Sequence, residues 1–349
     1  MRILHVAAFG PSRNGIYESA RDLIRADALF GHTVYFADAG VTENSKRVYV
    51  PTGTIDDRAN FKVVVSDPFI IDSVDVVVVH NMPQFSWFVK NQVPIVYVVH
   101  GRPHAEFKVE NSSDSIKSYT FDAEVSQWPR VKKMMYFWPE FKPFWHMFPE
   151  EKNLIFDYPV IDQERFCPIG PTHLIKDENR GKWNILLCDS PRDDVDLFEV
   201  FNGAIQAARD NKDIKFHYYG IDRPMKACWE VLVQELYNLG AMGELYIRMP
   251  HMETIYRSMD GVLTPHRIVT RVIAESLSCG IPVIASKGCK VSQFCHDPHN
   301  PHSVSKAITQ FVNSDRESNK IKVLEESKKF SFENYSKKMN EIYNEIKIK

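Results

Sequence analysis

The 349-residue sequence has few of the features that announce a protein's class. Its six cysteines (Cys167, Cys188, Cys228, Cys279, Cys289, Cys295) form no CxxC pair and mostly sit in apolar or turn contexts. No disulfide framework is expected; the thiols read as reduced, and the protein as cytoplasmic. It has no charge excess of either sign. With 43 Lys and Arg against 45 Asp and Glu, the formal net charge is -2, so no global basic field attracts nucleic acid or an anionic membrane. Long hydrophobic runs are missing too. The longest, VDVVVVH at 74–80, is far too short to cross a bilayer, and MRILHVAAFG lacks the apolar core and small-residue cleavage site of a signal peptide. Neither short repeats nor low-complexity segments occur. No GxGxxG glycine fingerprint follows a first strand, which argues against a dinucleotide-binding oxidoreductase.

What the sequence does contain is a rhythm of short apolar strands and helical patterns. The chain is 44% hydrophobic and long enough for two cores. RILHVAAF at 2–9, HTVYFAD at 32–38, VDVVVVH at 74–80 and PIVYVVH at 94–100 are continuously rather than alternately apolar. Such strands are buried on both faces, so a parallel sheet with helices on each side is expected. A polar, Gly- and Pro-containing stretch at 167–183 reads as a linker. The pattern then restarts with NILLCD at 184–189, IKFHYYG at 214–220, ELYIRMP at 244–250, GVLTP at 261–265 and PVIAS at 282–286. Two facing doubly wound α/β domains with a cleft between them are therefore expected. Their bounds are 1–166 and 184–329, followed by an amphipathic helix within 330–349, which the family resemblance stated below implies crosses back to the first domain.

Ligands of open parallel sheets bind beyond the carboxyl ends of the strands, where helix N-termini offer N–H groups and a positive dipole end. Three strand ends carry suitable residues. The first strand runs into GPSRNGIYESARDLI at 10–24, where Gly15 would let backbone approach a bound group. The fourth ends in His100-Gly101, and a neutral imidazole there can both donate and accept a hydrogen bond. The third is LTPHRIVTRVIAES at 263–276. Its loop holds His266, Arg267 and Thr270 and leads into a helix bearing Arg271 and Glu275. Backbone N–H groups and guanidinium there would suit a diphosphate, and Glu275 would accept ribose hydroxyls. In RVIAESLSCGIPVIAS at 271–286, Gly280 supplies a left-handed helix cap and Pro282 stops the helix before a buried strand.

Three other segments carry weaker expectations. The carboxylates of DVD at 194–196 fit the first turn of a helix better than a metal site. CHDPHNPH at 295–302 is expected as a proline-broken surface loop, and the aromatic-rich 136–148 as core or domain-interface packing.

RVIAESLSCGIPVIAS resembles the donor-site signature of GT-B glycosyltransferases of family four, the group 1 enzymes. ELYIRMPHMETIYRSMDGVLTPHR at 244–267, YPVIDQERFCP at 158–168 and FSFENYSKKMNEIYNEI at 330–346 are similar to neighbouring family segments. The resemblance is strong from 184 to 346 and looser before. It implies a GT-B fold and retaining sugar transfer from a nucleotide sugar such as a UDP- or GDP-sugar, with no cofactor or obligatory metal. By the same resemblance, Glu275 holds the donor ribose, the backbone of Ile268, Val269, Thr270 and Arg271 faces the diphosphate, and His100 lies near the transferred sugar.

Two features depart from the family pattern. A second glutamate is usual eight residues before Glu275, and here that position is Arg267. The usual phosphate-neutralising Arg and Lys fall on Cys188 and Asp193, with Arg192 nearby. Arg192, Arg267 and Arg271 are the candidates to replace that pair, since a leaving diphosphate needs positive charge or oriented dipoles. A glycan or small molecule is the expected acceptor. Two alternatives are a phage-type transfer to a hydroxymethylated DNA base, with Lys108, Lys117, Arg130, Lys132 and Lys133 as the groove, and a non-catalytic sugar-nucleotide-binding protein.

Overall fold

The computed structural model describes residues 1–7, 15–38, 61–64, 74–80, 92–100, 124–139, 148–189, 197–219, 227–246 and 251–347. They divide into two compact units. Unit 1 holds the described residues up to Asp162 together with those from Ser331 onward; unit 2 holds Gln163 to Phe330.

Unit 1 is built on a seven-stranded sheet in the order β3-β2-β1-β4-β5-β6-β7. The strands are β1 (Arg2–Ala7), β2 (Thr33–Asp38), β3 (Phe61–Val64), β4 (Val76–His80), β5 (Ile95–Val98), β6 (Val131–Phe137) and β7 (Asn153–Phe156). Every pairing is parallel. All five residues of β4 and all four of β5 are buried, as continuous valine-rich runs demand when both faces are covered. Helix α1 (Gly15–Leu29) follows β1 and packs Ala20 and Ile24 against Ala7 and Val34. The C-terminal helix, which is α8 in chain order (Phe332–Ile346), belongs to this unit. Ser336 on α8 donates to the Ala26 carbonyl of α1.

Unit 2 carries a six-stranded sheet in the order β10-β9-β8-β11-β12-β13, again all parallel. Its strands are β8 (Trp183–Cys188), β9 (Ile214–Tyr219), β10 (Met242–Tyr246), β11 (Gly261–Leu263), β12 (Val283–Ser286) and β13 (Phe294–His296). The helices are α2 (Leu197–Asp210), α3 (Ala227–Asn238), α4 (Met252–Tyr256), α5 (Arg271–Ser278), α6 (Pro301–Val312) and α7 (Arg316–Ser327). Ile185 and Leu187 of β8 pack into one core with Phe201, Tyr218, Trp229 and Phe311. Gly203 lets α2 press against α6: a Cβ there would lie 2.4 Å from the Val304 Cβ.

In each sheet the strand order reverses beside the first strand, at β1/β4 in unit 1 and at β8/β11 in unit 2. Chain connections leave in opposite directions at such a point and open a crevice at the carboxyl ends of the strands.

One segment differs in part from its sequence reading, and one strand had no reading. Residues 295–302 are a surface turn only at 297–300: Cys295 and His296 lie in β13, His296 is fully buried, and Asn300 caps α6 by accepting from the His302 and Ser303 N–H groups. The prolines misled because Pro301 occupies the first turn of a helix, where its missing N–H costs nothing. VKKMMYF at 131–137 is β6, whose Lys132 and Lys133 break the apolar run while Met134, Met135, Tyr136 and Phe137 are buried.

Candidate functional site

The turn after α5 is closed by backbone geometry. Gly280 adopts φ +80°, its N–H donates to the Leu277 carbonyl at 2.9 Å, and the Ile281 N–H donates to the Ser276 carbonyl at 3.0 Å. This is a Schellman cap, and it fixes where β12 begins relative to α5.

At its other end, α5 opens beside the β8/β11 reversal of unit 2. The incoming strand is clamped: Ser286 donates through Oγ to the Pro265 carbonyl at 2.5 Å, and His296 Nε2 bonds the Thr264 carbonyl at 3.0 Å. Ile268, Val269 and Thr270 are buried, and Thr270 is the N-cap residue, its carbonyl receiving the Ala274 N–H. Its side chain makes no cap bond, and its Oγ1 is buried with no partner among the described residues. A buried hydroxyl that satisfies nothing in the protein normally has a ligand or water to satisfy.

Glu275 lies one turn into α5 and is 6% exposed. Its Oε2 accepts from the Tyr256 hydroxyl at 3.2 Å, and its Oε1 is 2.6 Å from Arg271 Nε. Burial, followed by the Glu275 charge among its neighbours, raises the Tyr256 phenol well above its ordinary range, so it remains a donor. The Arg271 guanidinium also lies 5.8 Å from the ring centroid of Phe166, which is itself buried beside Tyr256. The stretch bearing Phe166 is held by Arg165 to Glu253 at 2.8 Å and by Arg257, which donates to the Arg165 and Cys167 carbonyls.

At the end of β8, Asp189 Oδ2 lies 2.7 Å from His266 Nε2, so a carboxylate and an imidazole bridge the two strands that flank the reversal. Cys188 is buried, and burial pushes its thiol up, so it stays protonated and is no nucleophile. Arg267 is half-buried, with its Cβ 3.8 Å from where a Cβ on Gly288 would stand. Arg192 and the carboxylates at 194–196 fall outside the described residues. Among the described residues no group of three or more His, Cys, Asp or Glu side chains is arranged to hold a metal ion.

In unit 1, His100 stands just past the end of β5, half-buried, and its Nε2 is 3.0 Å from His80 Nδ1. Gly15 opens α1 and is exposed, and a Cβ placed on it would meet no described atom within 4 Å. His5, His80, Asp27 and Tyr343, which join His100 in one hydrogen-bonded set, escape a sequence reading. The one signal is a histidine in or at the end of three of the apolar strand segments, and nothing local says that they meet.

No protein-family model and no curated protein matches the chain. Solved structures do. A glycosyltransferase from Rickettsia africae is 16% identical, with TM-score 0.68 over 99% of this chain and 98% of that one. Sucrose-phosphate synthase from Thermosynechococcus elongatus is 13% identical, with TM-score 0.72 over 99% and 98%. Anabaena HepE, solved in complex with UDP-glucose, is 12% identical, with TM-score 0.67 over 99% and 100%. Agreement over nearly the whole of both chains, together with the two parallel sheets of this one, gives the chain the GT-B fold.

Proposed function

We propose that the chain is a glycosyltransferase that takes a sugar from a nucleotide-sugar donor held at the start of α5 and delivers it to an acceptor hydroxyl. The carrying observation is Glu275: a buried carboxylate, oriented by Tyr256 and Arg271, one turn inside a helix that opens at the strand reversal of unit 2. A carboxylate accepts hydrogen bonds at both of its oxygens, which suits the paired hydroxyls of a ribose. The first-turn N–H groups of α5, the Thr270 hydroxyl and Arg267 would take the diphosphate, where a helix N-terminus favours negative charge. Arg271 orients Glu275 as well as adding positive charge. The UDP-glucose complex of the similar HepE structure supports a nucleotide-sugar donor.

In the same reading transfer proceeds with retention and without a metal. Departure of the diphosphate is helped by guanidinium and helix dipole, and His100 of unit 1 serves the transferred sugar or its acceptor. A glycan or small molecule is the acceptor. A DNA acceptor is disfavoured by the basic residues proposed to track it. Arg130 donates to the Val93 carbonyl, Lys132 to that of Pro129, and Lys133 to that of Glu151 while pairing with Glu345. Lys108 and Lys117 fall outside the described residues.

A calorimetric panel of UDP-, GDP- and ADP-sugars tests the reading, with free diphosphates and NAD as comparators, on wild type and Arg267→Ala. Selective binding of one nucleotide sugar, weakened in the variant, is expected. Equal binding in both forms removes Arg267 from the site. Binding without turnover on glycan, small-molecule and hydroxymethylated-DNA acceptors favours a binding protein. No binding by any nucleotide sugar overturns the proposal. The anomeric configuration of the product, read by NMR, tests retention.

A further inference from the structure

The loop 264–270 joins β11 to α5, and five of its carbonyl oxygens accept hydrogen bonds from within unit 2. Thr264 accepts from His296 Nε2 at 3.0 Å, Pro265 from the Ser286 hydroxyl at 2.5 Å, and His266 from the Ser286 N–H at 3.2 Å. Further on, Ile268 accepts from the Thr270 N–H at 2.9 Å, and Thr270 from the Ala274 N–H at 3.0 Å.

The donors to the first three carbonyls all stand on one flank of the loop. Ser286 ends β12 and His296 ends β13, and the parallel register pairs these two residues directly, so their side chains share a face of the sheet. Strand order β8-β11-β12-β13 puts both donors on the side of β11 away from β8. The carbonyls of Thr264, Pro265 and His266 are therefore drawn away from the β8/β11 reversal beside which α5 opens. On the opposite flank the loop offers a side chain instead, and His266 Nε2 lies 2.7 Å from Asp189 Oδ2, just past the end of β8.

Ser286 and His296 are both fully buried, and their chemistry suits this task. A carbonyl oxygen only accepts, so His296 carries a proton on Nε2. Burial pushes its imidazole down to about 4, so at neutral pH the ring is neutral and that N–H is its single one. Ser286 uses side chain and backbone together, its hydroxyl on Pro265 and its N–H on His266. A peptide carbonyl is the negative end of a dipole, and one turned into an anion site opposes the anion that the helix N-terminus attracts.

We propose that Ser286 and His296 are positioning residues for an anion site at the start of α5. They hold the loop 264–270 with its leading carbonyls drawn toward β12 and β13, so that a diphosphate meets the buried Thr270 hydroxyl and the first turn of α5 rather than negative dipole ends. The loop is then formed before the ligand arrives, and binding spends less on ordering it. This rests on the glycosyltransferase reading for the diphosphate being part of a nucleotide sugar, but not for the affinity of the loop for a diphosphate.

Calorimetry with inorganic pyrophosphate tests the proposal on the full chain as wild type, Ser286→Ala, His296→Phe and His296→Gln. Ser286→Ala and His296→Phe are each expected to weaken pyrophosphate binding by about three- to tenfold, the size of one hydrogen bond. The amide of His296→Gln can again donate to the Thr264 carbonyl, and affinity within about twofold of wild type is expected. Hydrogen–deuterium exchange of the free protein should be faster across 264–274 in the two weakened variants and unchanged elsewhere. With the nucleotide sugar that the panel identifies, the matched nucleoside diphosphate should lose affinity as pyrophosphate does, while the matched nucleoside, which has no phosphate, should not. Equal losses for nucleoside and nucleoside diphosphate would mean a general loss of structure and overturn the positioning role. So would wild-type pyrophosphate affinity in folded Ser286→Ala, which decides alone if His296→Phe does not fold. A wild-type chain that binds no pyrophosphate overturns the anion site itself. Should pyrophosphate follow the expected pattern while no nucleotide sugar binds, the functional reading fails and the role of Ser286 and His296 stands.

Discussion

Replacing Glu275 separates its two roles, in folding and in binding, because both can be sized from its contacts. The carboxylate is buried, pairs with Arg271 at 2.6 Å and accepts from the buried Tyr256 hydroxyl at 3.2 Å. Removing one member of a buried ion pair costs about 3–5 kcal/mol, because the other charge stays behind. The lower figure applies here, since the Arg271 guanidinium is also near the Phe166 ring. For a unit of this size about 3 kcal/mol lowers Tm by about 6–12 °C, at about 2–4 °C per kcal/mol. Glu275→Gln keeps the shape and an acceptor for Tyr256, so its Tm is expected to fall by less. In binding, a hydrogen bond to a charged acceptor is worth about 1.5–3 kcal/mol. Losing one to a ribose hydroxyl therefore weakens nucleotide-sugar affinity by about tenfold to 150-fold in Glu275→Ala. Thermal unfolding and calorimetry on both variants read the two effects. A folded Glu275→Ala protein that binds the donor within about twofold of wild type refutes the ribose role, and an unchanged Tm refutes the buried pair.

Two further outcomes follow from unit 2. Gly203→Ala puts a Cβ 2.4 Å from the Val304 Cβ and 2.7 Å from the Pro301 carbonyl, so α2 and α6 must separate. The variant should lose about 1–3 kcal/mol despite the better helix propensity of alanine, and a rise in Tm would contradict the close contact. His217 accepts the Glu244 N–H at Nδ1 and faces the Asn184 Oδ1 through Nε2; His296 bonds the Thr264 carbonyl. Burial pushes both imidazoles down to about 4. Unfolded histidines titrate near about 6.5, so between that pH and about 4 the unfolded chain binds more protons and stability falls as pH falls. Each group contributes roughly 3 kcal/mol across that window, at 1.36 kcal/mol per pKa unit. Urea unfolding at pH 7, 5.5 and 4 checks this, and stability independent of pH over that range would refute it.

The sequence by itself determined the elements whose cause is local. Continuous valine-rich runs specified buried parallel strands at β4 and β5, and Gly280-Ile281-Pro282 specified a left-handed cap and a stop after α5. Glu275 was legible because it stands at a fixed distance from that turn. Where a local signal was mixed, the reading failed: two lysines hid β6, and prolines disguised β13 and the start of α6. Tertiary structure alone decided which side chains meet. His5 and His80 are 75 residues apart, His80 and His100 are 20, and Asp27 and Tyr343 are 316. Nothing in those intervals encodes contact. The order β1-β4-β5 and its parallel register bring the three rings onto one face, and the docking of α8 on α1 sets Tyr343 against the Asp27 carboxylate. A residue's periodicity is a property of its own segment, whereas a hydrogen-bonded file across strands exists only once the sheet has chosen its neighbours.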